Sequence, residues 1–120
     1  MRSLPFVAVL FTAGLVVPVL AQSDSFEGQY SAGEPDYQQQ MTIQQEGEEY
    51  RLRLSVKAPG CTGQAEATGT AKGKLLTAKT ANGACTITAL RAGPRLQVEG
   101  DDCEGLHGAT CDFDGTYAPK

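Results

Sequence analysis

The sequence is poor in the residues that most catalytic sites need. It holds one histidine, His107. A nucleophilic triad would have to bring His107 to Ser23, Ser25, Ser31 or Ser55, or to a free thiol. Ser23 and Ser25 fall in an expected disordered start of the mature chain, and the thiols are expected to be oxidised. There is no P-loop, no G-x-G-x-x-G and no H-E-x-x-H. The chain therefore reads as a non-enzyme without a cofactor. A minor hydrolase using acidic loop residues is the weakest of the remaining readings. No cysteine precedes Cys61. A lipid-anchored lipoprotein, which needs a cysteine at its cleavage point, is therefore not expected. No helical period is visible after the first twenty or so residues, which argues against a helical domain.

What the chain does have begins with an export pattern. Met1-Arg2-Ser3 places one positive charge ahead of an apolar run from Leu4 to Leu20. That is the n-region and h-region of a secretory signal. Val19 and Ala21 supply the small residues a signal peptidase reads, so the cut is expected between Ala21 and Gln22. The rival is a retained membrane span. At about 17 residues the run sits at the short limit for crossing a bilayer. Pro5, Gly14 and Pro18 interrupt it, and no basic flank follows. Residues 1–21 are read as a cleaved signal. Residues 22–120 are read as a single soluble domain, periplasmic or secreted, with no membrane anchor.

Removing 21 residues from 120 leaves 99. A chain that small buries only about two-thirds of the surface its unfolded form exposes, and such domains often need covalent help. With Arg2 gone, nine bases face fourteen acids, a charge of −5. This argues against nucleic acid and anionic membrane surfaces, and is compatible with a basic protein partner. Cys61, Cys85, Cys103 and Cys111 form an even set in a short exported chain, which reads as a disulfide framework. Four cysteines allow three connectivities. The pairing expected is Cys61–Cys85 with Cys103–Cys111. The first would tie strands separated by one hairpin, and the second would close a short loop. Each bridge stabilises by roughly 2–4 kcal/mol.

The mature region alternates with period two. Tyr50, Leu52, Leu54 and Val56 take one face against Arg51, Arg53, Ser55 and Lys57, a half-buried strand. Met41 and Ile43 precede it, with Gln45–Glu49 expected as a hairpin loop. After Pro59-Gly60, Ala65, Ala67, Gly69 and Ala71 alternate with polar residues. A strand that buries only Ala and Gly sits close to whatever faces it. Leu75 and Leu76 mark the next strand. Asn82-Gly83 reads as a type I′ turn, whose two central residues both need positive φ. Ile87 and Ala89, then Leu96 and Val98, mark two more strands. A last strand is expected to put Cys111, Phe113, Gly115 and Tyr117 on one face. Phe26-Glu27-Gly28-Gln29-Tyr30 and Phe113-Asp114-Gly115-Thr116-Tyr117 repeat one pattern at the two ends of the domain. About eight antiparallel strands whose first and last can pair predict an all-β, small up-and-down barrel with two disulfides.

Three patterns could carry chemistry. Cys103, His107 and Cys111 have the spacing C-x3-H-x3-C, three metal ligands by type. Gly105 and Gly108 argue against a helix there, and oxidation favours a disulfide-closed loop with an exposed histidine, so no metal is assigned. Glu99–Glu104 with Asp112 and Asp114 is an acidic stretch whose order does not match a calcium loop. It reads as a solvated loop, and as a face that could meet a basic partner. Gly69–Lys74 is a small-residue turn carrying Lys72 and Lys74. A lysine on a rigid hairpin can reach an acidic cleft such as that of a glycosidase.

The run Cys103…His107-Gly108…Cys111-Asp112-Phe113-Asp114-Gly115-Thr116-Tyr117 resembles the end of small periplasmic β-barrel domains of the lysozyme-inhibitor-like type. The layout of signal, short strands, disulfides and closing F-x-G-x-Y is similar to that of periplasmic and membrane-bound inhibitors of c-type lysozyme. Those are small barrels that block a lysozyme cleft with loop residues. That family's S-G-x-x-Y motif is not found, and Ser31-Ala32-Gly33 is a loose echo of it. Lys72-Gly73 echoes its Lys-Gly turn without the preceding aromatic. The resemblance implies a binding or inhibitor module acting on an exported protein, with Lys72 as a contact and a lysozyme-type glycosidase as candidate target. The alternative is a lipocalin-like carrier of a small ligand, which would need a cavity lined by Leu52, Leu54, Ile87 or Val98.

Overall fold

The period-two alternation folds into eight antiparallel strands. The structure, a computed structural model, describes residues 25–120. The expected signal over residues 1–21 lies outside the described residues. In chain order the strands are β1 Gly28–Glu34, β2 Tyr37–Glu46, β3 Glu49–Ala58 and β4 Cys61–Lys72. They continue with β5 Leu75–Lys79, β6 Thr86–Ala92, β7 Arg95–Asp101 and β8 Gly115–Pro119. Each pairs with the next, and β1 pairs with β8 through Tyr30–Pro119 and Ser31–Ala118, closing the barrel. This is the all-β up-and-down architecture that the alternation predicts.

Eight strands leave an interior just wide enough for side chains to fill. Tyr50, Leu52, Leu54 and Val56 point in from β3, and Met41 and Ile43 from β2. Opposite them, β4 supplies only Cys61, Gly63, Ala65 and Ala67. Their small size permits close approach. A methyl group on Gly69 would collide with the Thr77 carbonyl, and one on Gly63 with His107.

The barrel has two unlike ends. At the hairpin end the turns are Gly47-Glu48, Gly73-Lys74 and Gly93-Pro94, each with glycine at positive φ in first place. That is the two-residue hairpin geometry which suits the twist of the strands. The loop expected over Gln45–Glu49 is shorter because the β2–β3 ladder runs on to Glu46–Glu49. At the other end, Asn82-Gly83 is not the type I′ turn expected, since only Gly83 has positive φ. Here Gly83 N–H donates to Thr80 O at 2.8 Å, and Ala84 N–H donates to Asn82 Oδ1 at 2.9 Å. The asparagine side chain does the turn's bonding, so its backbone need not enter the left-handed region.

Residues 102–114 cross this second end as a cap, with a short 3-10 turn at Glu104–Leu106. The cap corrects two expectations. The disulfides are Cys61–Cys111 and Cys85–Cys103, not Cys61–Cys85 and Cys103–Cys111. The cap lies across the barrel mouth, so each of its ends meets the wall at a different strand. Cys111 reaches the start of β4, and Cys103 reaches the residue before β6. The last strand also starts at Gly115 rather than Cys111, because residues 111–114 still belong to the cap.

The two F-x-G-x-Y segments perform the same local task at opposite ends. Tyr30 Oη donates to Phe26 O at 2.8 Å, and Tyr117 Oη donates to Phe113 O at 2.9 Å. Phe26 precedes β1 at the hairpin end, and Phe113 precedes β8 at the capped end. Both rings are buried. Each end of the barrel is thus corked by a phenylalanine held by the tyrosine of the adjoining strand. The seam expected between the terminal strands is present, but Gly28 and Gly115 do not form its ladder. A methyl group on Gly28 would meet the Tyr30 ring at 3.4 Å, and Gly115 makes room for Gln39.

Candidate functional site

Lys72 ends β4 at the hairpin end and is exposed. The strand register builds a row from it across the outer wall. Lys72 lies opposite Leu75, Leu75 opposite Leu90, and Leu90 opposite Gln97. Leu76 and Ala89 take the inward positions. That forces Leu75 and Leu90 outward, where they are 40% and 45% exposed. Directly opposed side chains on neighbouring strands stand about 5 Å apart, so the two leucines form one apolar spot. Lys74 sits in the turn after Lys72, and Arg95 opens β7 beyond the turn Gly93-Pro94. The ion pairs among the described residues are Arg51–Glu46 and Arg53–Glu66. Lys72, Lys74 and Arg95 stand in neither, so their charge is open to a partner.

Arg91, at the same end, has a different task. Its guanidinium carbon lies 4.5 Å from the Phe26 ring centroid, and Nη2 donates to Ser25 O at 2.8 Å. Ser25 Oγ in turn accepts from Glu27 N–H at 3.1 Å. Ser25 is therefore built into the hairpin-end cork rather than part of a disordered start. The cation–π contact and the carbonyl hydrogen bond together fix the entry of the chain into β1.

At the capped end, His107 is half-buried rather than exposed. Its ring packs edge-on against Phe113 with centroids 5.4 Å apart, and Nδ1 lies 2.7 Å from Gly108 O. Cys103 and Cys111 are each bonded to a cysteine of the barrel wall, so the C-x3-H-x3-C spacing offers no thiolate pair. Several acids here shape the cap. Asp114 Oδ1 accepts from Gly100 N–H at 2.8 Å, and Asp112 Oδ1 accepts from Asp114 N–H at 3.0 Å.

The residues a carrier would need as a cavity lining, Leu52, Leu54, Ile87 and Val98, belong to one contiguous packed cluster with Met41, Phe113 and Tyr117. The Leu75–Leu90 pair and Arg91 are absent from the sequence reading. A usable signal for Leu90 exists: once Ile87 and Ala89 face inward, Leu90 is an apolar residue at an outward position. Among the described residues no helix is long and apolar enough to cross a membrane. No family model, no curated protein and no solved structure matches this chain.

Proposed function

We propose that this protein is a non-enzymatic binding or inhibitor module that works outside the cytoplasm on an exported protein, with a lysozyme-type glycosidase as the leading target. The observation that carries this reading is the exposed Leu75–Leu90 pair flanked by Lys72, Lys74 and Arg95. Such a surface suits an acidic cleft: the leucines leave water while the cations meet carboxylates. Glycosidases place two carboxylates in such a cleft. The residues stand on two-residue hairpins of a closed barrel, so little ordering entropy opposes docking. Two disulfides support an oxidising compartment, and the resemblance to lysozyme inhibitors supports the choice of target.

The test is capture of partners from envelope extract followed by inhibition assays across a lysozyme panel. A glycosidase should be captured and inhibited, and Lys72→Glu with Leu90→Asp should abolish both effects while the barrel stays folded. Rising salt should weaken the complex, because exposed charges are screened within about 8 Å at physiological ionic strength. A full panel without inhibition, or inhibition indifferent to these substitutions, overturns the reading.

A further inference from the structure

The barrel wall is not equally closed all the way round. β4 has 12 residues and β5 only 5. β5 pairs with β4 over Thr68–Lys72 alone. From Cys61 to Ala67, β4 has β3 on one side and no strand on the other. The cap patches the start of this free edge. Gly63 bridges His107, and Gly108 N–H donates to Thr62 O at 3.1 Å. Successive strand residues turn their N–H and C=O groups to opposite sides. Because Thr62 faces the cap, Gln64 and Glu66 direct their backbone groups the same way. Between this edge and the β5–β6 loop runs a groove of about 520 Å³. Ala65, Ala81, Ala84 and Leu106 line it, with Glu66 and Asp102 among its acids. Leu106 is 37% exposed there.

We propose that this groove binds an extended peptide segment of another polypeptide, added as a strand to the β4 edge at Gln64–Ala67. Unpaired N–H and C=O groups on a sheet edge are a template for strand addition. The edge is short: four residues at about 3.4 Å each admit a segment of about the same length. The alanine lining selects small or β-branched side chains, and Leu106 covers one of them. Asp102 calls for a basic residue at the rim, since Glu66 already holds Arg53 at 2.8 Å. The groove opens toward the capped end of β4, and Lys72 closes the other end of the same strand. It is therefore a second site, independent of the docking face proposed above.

The purified, exported protein is tested against a displayed library of random heptapeptides. Selected peptides should carry small apolar residues in alternation and at least one Lys or Arg. Their binding should slow hydrogen exchange at the Glu66 amide. Glu66→Pro removes the groove-facing N–H and leaves the β3 ladder intact, a position where proline is tolerated. Affinity should fall about tenfold, the effect of one lost strand-to-strand hydrogen bond. Glu66→Gln, which keeps the N–H, should stay within about threefold of the original, as the exposed ion pair is weak. Lys72→Glu should leave peptide binding unchanged. If Glu66→Pro fails to fold, the exchange measurement on the unsubstituted protein decides. Selection of no peptide, protection outside Gln64–Ala67, or self-association through this edge in place of peptide capture overturns the proposal.

Discussion

Tyr117 joins the seam to the capped-end cork, and its chemistry gives the first prediction. Its side chain is fully buried, and its hydroxyl holds the Phe113 carbonyl. Burial, helped by Asp112 and Asp114, pushes its ionisation well above the usual tyrosine range. Burial raises Tyr30 as well, against an opposing pull from Arg91. Both tyrosines thus stay neutral in the fold at a pH where the unfolded chain ionises. Their contribution is complete below about pH 10, the ordinary tyrosine value, and is lost as pH rises above it. For Tyr117 the loss approaches about 1.4 kcal/mol per pH unit. Urea midpoints at about pH 9 and about pH 11 should show the fall, and Tyr117→Phe should make it smaller, leaving the part that Tyr30 supplies. At neutral pH the same substitution should cost about 1–2 kcal/mol, since it strands a buried carbonyl. The F-x-G-x-Y repeat was readable because both copies keep the same residues at the same spacing. The reason for Gly115 was not, because it lies in a distant partner. A methyl group on Gly115 would lie 2.8 Å from Gln39 Oε1. Gln39 is buried and donates through Nε2 to Asp112 O and Asp114 O. The alternation that turns Met41 and Ile43 inward also turns Gln39 of the run Gln38-Gln39-Gln40 inward, but no local pattern shows that it anchors the cap.

Among the elements, the strands were legible and the cap was not. Alternation is a local signal that every strand carries in its own residues. Disulfide pairing depends on where a loop crosses the barrel, which spacing along the chain does not encode. Cys103 and Cys111 are near in sequence but stand at the two ends of the cap, each facing a different strand. The consequence is energetic as well as topological. The bridges span sequence separations of 50 and 18 residues. Chain entropy alone assigns them about 4 and about 3 kcal/mol, more than the eight-residue loop of the local pairing would supply. Peptide mapping without reduction should recover Cys61 linked to Cys111 and Cys85 linked to Cys103. Replacing either pair by serines should lower stability by about 2–4 kcal/mol. Limited proteolysis should then cut first between Asp102 and Asp114, because the cap has one covalent tie left and few backbone bonds of its own. Cleavage starting in a barrel strand instead would show that the bridges hold the wall rather than the cap.

Across the whole molecule, the closed wall, the two corks and the charge pattern divide the labour. The wall carries most of the buried apolar surface, and the corks keep water from its ends. Exposed cations gather beside the Leu75–Leu90 spot on the β4–β5 and β6–β7 hairpins, while Glu46, Glu48 and Glu49 occupy the β2–β3 hairpin and Asp101, Asp102, Glu104, Asp112 and Asp114 crowd the capped end. The docking face proposed above and the tethering of the cap therefore fall at opposite ends, and neither uses the core. The same separation makes the corks testable as independent units. Phe26 packs on Tyr50 with ring centroids 5.7 Å apart and lies under Arg91, whereas Phe113 packs on His107. The two rings share none of these partners. Truncating a buried phenylalanine to alanine typically costs about 3–5 kcal/mol. Phe26→Ala and Phe113→Ala should each fall in that range, and together they should add within about 0.5 kcal/mol. Because a small domain has only about 5–15 kcal/mol in total, the double substitution should be measured by urea unfolding with both disulfides intact. A coupling well above about 0.5 kcal/mol would mean that the ends communicate through the core. Docking at Leu75–Leu90 would then loosen or tighten the cap, and the two ends could no longer be treated as separate sites.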